Sequence, residues 1–335
     1  MFSRPLPIAR YRFTAAVQQT LQLPDYAGSL LRGQFGAALR GVACMTRQPT
    51  CAGCPLLQTC PYSRIFEAPA PSKGEHALQN FSHIPNPYIV EPPAPGARLL
   101  NTGDTLTFHL VLVGHAIDQL PLIILALQRG LAQGLTKARV PTDLVQVEHV
   151  DHSGTAHLIW HCQRPTLAEH AATLNVRAKH LKVGNALSLE TDGLNCTNLS
   201  LHITTPLRLQ RQSQPLGLGQ LEPRALIAAI ARRAALLMEF HAGREGWGEA
   251  AKAVIHLSES LYDTQDLHWH DWTRSSSRQQ QQMTLGGVMG HWTLRADNPA
   301  VLATIWPWLW LGQWLHGGKN ATMGLGGYSL VNAQS

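Results

Sequence analysis

"GHWTLRADNPAVLATIWPWLWLGQWLHGGKNATMGLGGYSL", residues 290–330, reads as a strand, a helix, a loop and a last strand. Asn298 and Pro299 are a side-chain cap and a first-turn proline, so a helix begins there. The apolar run continues to Leu315, and Pro307 predicts a kink. Trp306, Trp308, Trp310 and Trp314 ride this helix and read as core. Behind them, Gly317, Gly318, Gly324, Gly326 and Gly327 surround Lys319, and no acid occurs from Asn298 to Ser335. Bare, mildly positive backbone suits an anion, because glycine lets N–H groups approach closely. A Walker A loop would need glycine at Gln313 and a hydroxyl at Asn320. A dinucleotide fingerprint would need a long helix after the glycines. Neither nucleotide fold fits.

Reading backwards, "LHWHDW" and "MTLGGVMGHWTLRAD" form a strand pair. "EPRALIAAIARRAALLMEFHAG" is a helix with Pro223 in its first turn and Gly243 as its stop, and "NLSLHITTPLRLQ" is a strand. The order β-α-β-β-α-β is the ferredoxin-like arrangement. The first half repeats it: strand "IARYRFTAAV", a helix with Leu31, Phe35, Leu39 and Val42 at helical spacing, a Cys- and Pro-rich insertion ending in "NPYIVEPP", then "DTLTFHLVLVG", an apolar helix and two strands over 145–162. The expected class is α+β, with two tandem ferredoxin-like domains over 1–195 and 196–335. The insertion occupies about 44–97 of the first domain.

Composition narrows the partners. Lys and Arg number 27 against 21 Asp and Glu, a net charge of +6, with the excess concentrated before Leu100. That bias suits a polyanion. The start, "MFSRPLPIARYRF", has arginines and prolines where a signal peptide needs an apolar run. The apolar window "LPLIILAL" is too short to cross a bilayer. A soluble cytoplasmic protein without a membrane partner is expected, and structural disulfides are not. Cys44, Cys51, Cys54 and Cys60 follow C-x6-C-x2-C-x5-C, while Cys162 and Cys196 stand alone. Four clustered thiols in a reduced compartment predict a structural zinc, with an iron–sulfur cluster as the alternative.

Two blocks carry a resemblance. "HDWTRSSSRQQQQMTLGGVMGHWTL" and "LWLGQWLHGGKNATMGLGGYSL" resemble the C-terminal domain of the CRISPR-associated precursor-crRNA-processing endoribonucleases of the RAMP superfamily. "LRGQFGAALRGVAC", "PTCAGCPL", "CPYSRIFE" and "IPNPYIVEPP" are similar in order and spacing to the N-terminal half. The resemblance implies two ferredoxin-like domains that bind CRISPR repeat RNA. It implies one cut in which the ribose 2′-OH attacks the adjacent phosphate, leaving a 2′,3′-cyclic phosphate and a 5′-OH without a metal. Other CRISPR effector subunits are further partners on this reading.

The same resemblance nominates site residues. His316 and Lys319 are the catalytic candidates. Arg32, Arg40, Arg274, Ser277, Arg278, Gln279, Gly317, Gly318, Gly324 and Gly326 are candidates for RNA contact. His241 reads as a capping or core histidine, His268 and His270 as a packed or solvated strand pair, and His83 has only its loop position to recommend it. Two departures stand out: Ala37 where relatives often carry His, and Ser275 in place of the motif tyrosine. They support an alternative, a non-catalytic subunit that holds crRNA within an effector complex.

Overall fold

The computed structural model describes residues 2–69, 84–175, 198–276 and 281–331. In the N-terminal half it comprises β1 (Ile8–Val17), β2 (Leu21–Leu23), α1 (Gly28–Ala43), α2 (Pro61–Phe66), β3 (Tyr88–Glu91), β4 (Arg98–Leu100), β5 (Thr105–Val113), α3 (Leu120–Ala132), β6 (Thr142–Val150) and β7 (Ala156–His161). The principal sheet runs β3-β5-β1-β6-β7 with antiparallel neighbours. Its first four strands have the ferredoxin-like order and β7 is an added edge. β2 and β4 pair separately.

The second half repeats the plan with β8 (Asn198–Leu207), the short pair β9 (Gln210–Arg211) and β10 (Gln214–Pro215), α4 (Pro223–Ala242), α5 (Trp247–Leu257), β11 (Tyr262–Ser276), β12 (Gln281–Arg295), α6 (Pro299–Leu315) and β13 (Tyr328–Val331). The sheet order is β11-β12-β8-β13, again ferredoxin-like. Asn298 caps α6 by accepting from the Ala300 N–H at 3.0 Å. α6 continues through Pro307 as one helix, held within an apolar core that includes all four of its tryptophans. α5 is an element the sequence reading missed. Its anchor, Trp247, meets Phe2 and Trp308 edge-on at centroid distances of 5.2 and 5.4 Å.

Alternation along β1 explains how the halves join. Ala9, Tyr11, Phe13, Ala15 and Val17 face the core shared with α1 and α3. On the opposite face, Ile8 joins Ile89, Val111 and Val113 in the core built by α4, α6 and the second sheet. Period-two strands make this possible. α4 is therefore buried from two sides, which accounts for its many small residues: Ala228, Ala231, Ala234 and Ala235 all lie inside. The closest approach is at Gly114, φ +58°, where a Cβ would stand 1.8 Å from the His241 carbonyl oxygen.

His241 is the histidine of this joint. Its Nε2 donates to the Pro85 carbonyl at 2.8 Å, so its Nδ1 is the acceptor for His115 Nε2 at 3.1 Å. The capping-or-core reading holds, with the addition that the residue ties the two halves together. Burial pushes its pKa down to about 4. The unfolded chain thus takes up the proton first, and stability contributed here is full above about pH 6.5 and declines as pH falls towards 4. We predict that thermal melts lose on the order of 2–3 kcal/mol across that window. His241→Gln should flatten the loss, and an unchanged slope in that variant would assign it to other groups.

Candidate nucleic-acid interface

The glycine loop packs inward. The backbone N–H groups of Gly317, Lys319, Gly324 and Gly326 donate to the carbonyls of Gly326, Arg208, Ala321 and Pro206 at 2.9–3.0 Å. Gly327 donates to Thr205 Oγ1 at 2.8 Å. These five donors are therefore engaged within the protein. The glycines serve close approach instead. A Cβ on Gly326, φ +70°, would lie 1.9 Å from the Gly317 carbonyl oxygen, and one on Gly324, φ +85°, 2.6 Å from that of Val90. Gly318, φ +70°, presses on the Arg208 carbonyl in the same way. The expected backbone cradle is thus corrected: Gly317, Gly324 and Gly326 are buried joints, and it is Lys319 that stands exposed.

His316 is the loop's anchor. It is 6 % exposed, with φ +57°. Its Nδ1 lies 3.2 Å from the Leu325 carbonyl and its Nε2 3.2 Å from Glu91 Oε1. Both ring nitrogens are thus directed at groups of the protein itself. The catalytic candidate His316 is therefore a buried residue whose ring holds the loop to β3. Glu91 also accepts from Arg10 Nη2 at 2.8 Å, and the Arg10 guanidinium lies 4.2 Å over the Trp314 ring. Burial alone would push the Glu91 carboxyl up, but Arg10 and His316 outweigh it and hold it at about 2.

The other candidates separate into three groups. Arg40 donates to the carbonyls of Gln48 and Pro49 and lies 5.6 Å over the Tyr62 ring, so it supports the cysteine loop. Arg32 lies 4.6 Å over the Phe66 ring at the seam between the halves. Ala37 is exposed on α1. In the long hairpin, Arg274 sits opposite Met283 and Ser275 opposite Gln282. Ser277, Arg278, Gln279, His83 and Cys196 lie outside the described residues. His270 contacts Trp272 edge-on at 5.1 Å, which fits the packed reading, while His268 is exposed.

Sequence reasoning overlooked Tyr26. Its ring stacks on Trp272 at 4.0 Å and 11°, and its hydroxyl donates to the Met323 carbonyl. The N-terminal half thereby grips both the hairpin and the glycine loop. Nothing local marks this tyrosine in "LPDYAGS"; only the fold brings it to Trp272.

Cys44, Cys51, Cys54 and Cys60 line one cavity, and the Cys54 N–H closes a turn on the Cys51 carbonyl at 3.1 Å. Four soft thiols around one space are a donor set that suits zinc. Among the described residues, however, no three His, Cys, Asp or Glu side chains are gathered as metal ligands. No described helix is long and apolar enough to cross a membrane.

Two ferredoxin-like units meet along α4, and the second is closed by the glycine loop. Residues 201–328 match the family described as CRISPR-associated endoribonuclease Cas6. Residues 6–172 match a second family, described as an N-terminal domain. The fold is similar to Thermus thermophilus Cas6, with a TM-score of 0.50 at 14 % identity over 98 % of this chain and 99 % of that one. A product complex of the same Cas6 gives 0.58 at 15 % identity, over 97 % and 99 %. A partial Cas6-RT-Cas1–Cas2 complex gives 0.53 at 17 % identity, over 99 % of this chain and 47 % of that one. No curated protein matches the sequence.

The Arg10–Glu91–His316 triad yields a direct test. Glu91→Ala leaves Arg10 and His316 without the acceptor they share, so urea melts should show a loss of about 3 kcal/mol. A loss below about 1 kcal/mol would mean that water replaces the carboxylate.

Proposed function

We propose that this chain is a CRISPR repeat RNA-binding endoribonuclease that cleaves precursor crRNA by metal-independent transesterification. The observation that carries the reading is the Cas6 match across the second half of a two-domain ferredoxin-like frame. The 2′-oxygen forms a bond to the adjacent phosphorus as the bond from phosphorus to the 5′-oxygen breaks. One proton leaves the 2′-OH and another reaches the departing 5′-oxygen. Such a reaction needs in-line positioning and cationic donors at the crowded phosphorane. Exposed Lys319 supplies charge, and buried His316 positions the loop that carries it. Arg274, at the end of β11, and Ser277, Arg278 and Gln279, which follow it in the sequence, supply phosphate and base-edge contacts. The four cysteines hold a structural zinc that closes their loop and takes no part in the cut.

A second reading has its own support. Ala37 is an exposed methyl on α1, and both ring nitrogens of His316 are directed at groups of the protein itself. Both favour a non-catalytic subunit that retains crRNA in an effector complex with other CRISPR proteins.

Repeat RNA incubated with the protein in excess EDTA separates the two. A single cut ending in a 2′,3′-cyclic phosphate is the expected outcome, whereas tight binding to intact RNA would make the chain a holder. Lys319→Ala should weaken binding across sequences and reduce the salt slope by about one; an unaltered slope removes Lys319 from the phosphate path. Metal analysis should return about one zinc per chain, and a coloured protein containing iron and labile sulfide would replace zinc with a cluster.

A further inference from the structure

The second half of the chain brings two acid-free stretches side by side. No Asp or Glu occurs from Asn198 to Leu221 or from Asn298 to Ser335, and β8 pairs with β13. Where β8 ends, its chain meets the glycine loop, and the Lys319 N–H donates to the Arg208 carbonyl at 2.9 Å. A Cβ on Gly318 would stand 2.6 Å from that same oxygen. Two cationic residues distant in sequence thus depart from backbone groups in direct contact.

Alternation sets the direction of the first. Leu207 and Leu209 are buried in the core of this half, so Arg208 between them turns to the opposite side. It is half-buried, and its Nε is enclosed without a hydrogen-bond partner. Among the described residues no carboxylate pairs with Arg208 or with exposed Lys319. Arg211, three residues on, differs, because its Nη2 donates to Glu222. The first acid that follows in the sequence is therefore already taken. Holding a guanidinium partly out of water without a counterion is unfavourable.

A phosphodiester supplies the missing counterion, since guanidinium groups fit phosphate well and an ammonium beside them adds a second charge. Both residues reach the surface, so a nucleic-acid backbone meets them without entering the protein. We propose that Arg208 and Lys319 form a two-cation clamp for the sugar-phosphate backbone of the RNA strand, with Arg208 as its fixed, partly enclosed jaw. The assignment to RNA rests on the function proposed above. Such a clamp positions the strand and is indifferent to base sequence. Free inorganic phosphate offers the same chemistry, and the experiment distinguishes the two.

Wild type, Arg208→Gln, Arg208→Lys and Arg211→Gln are compared in two assays. The first is affinity for repeat RNA and for a uridine homopolymer across a salt series. The second is the melting temperature in inorganic phosphate against chloride at equal ionic strength. Arg208→Gln should weaken binding of both RNAs about tenfold, with the salt slope shallower by about one. Arg208→Lys keeps the charge and should keep the wild-type slope. Arg211→Gln, whose charge already faces Glu222, should change affinity by less than about twofold. In chloride, Arg208→Gln should melt no lower than wild type. An unchanged slope in Arg208→Gln overturns the clamp, and a lowered melting temperature beside it would make Arg208 a packing residue. Equal losses in Arg211→Gln and Arg208→Gln would reduce the effect to general surface charge and overturn it as well. A slope lost equally in Arg208→Lys would overturn the role of charge. A melting rise in phosphate that Arg208→Gln abolishes, with RNA affinity unchanged, would give the site to a free anion and overturn the RNA assignment. Arg208-dependent binding of the homopolymer without preference for the repeat would leave the clamp standing and defeat the proposed function. Binding of neither RNA by the wild type would overturn both.

Discussion

A single carboxylate, Glu91, fixes the geometry on which both halves depend. It projects from β3 and is shared by Arg10 of β1 and His316 at the end of α6. Withdrawing an acid from water is unfavourable unless its partners compensate, and here Arg10 and His316, from distant parts of the sequence, do so. The glycine loop therefore follows the N-terminal sheet. Moving β3 moves Glu91, which moves His316 and, through Leu325, the rest of the loop. Tyr26 adds a second attachment by stacking on Trp272 and bonding to Met323.

Much of the architecture was legible in the residues because it rests on local rules. Asn298 and Pro299 marked the start of α6, Gly243 ended α4 in a left-handed turn, and strand alternation revealed both sheets. α5 escaped notice because "WGEAAKAVIHL" follows an irregular glycine-bearing stretch without a side-chain cap. The site was legible by address only. "HGGK" indicated the right loop, but the partners that bury His316 lie 225 residues away at Glu91, and no spacing rule reports such a pairing. The glycines were read as permissive towards a ligand. They are permissive towards their own backbone, since positive φ and contact with neighbouring carbonyls leave no room for a Cβ.

The interface between the halves is polar in an uneven way. One end is closed by complementary charges, Arg10 with Glu91, and another by paired neutral imidazoles, His115 with His241. Between them lie guanidinium groups without counterions among the described residues.

The N-terminal sheet has two apolar faces, and only one of them is covered by its own helices. Ile8, Ile89, Val111 and Val113 are sheltered by α4, which lies more than a hundred residues further along the chain. During synthesis the first domain is complete in its hydrogen bonding long before that cover exists. For that interval it presents a sticky sheet face to the cell, so the order of translation sets a period of exposure that the finished molecule conceals. The first half, expressed alone, is thus a fragment with a built-in tendency to associate rather than an independent module.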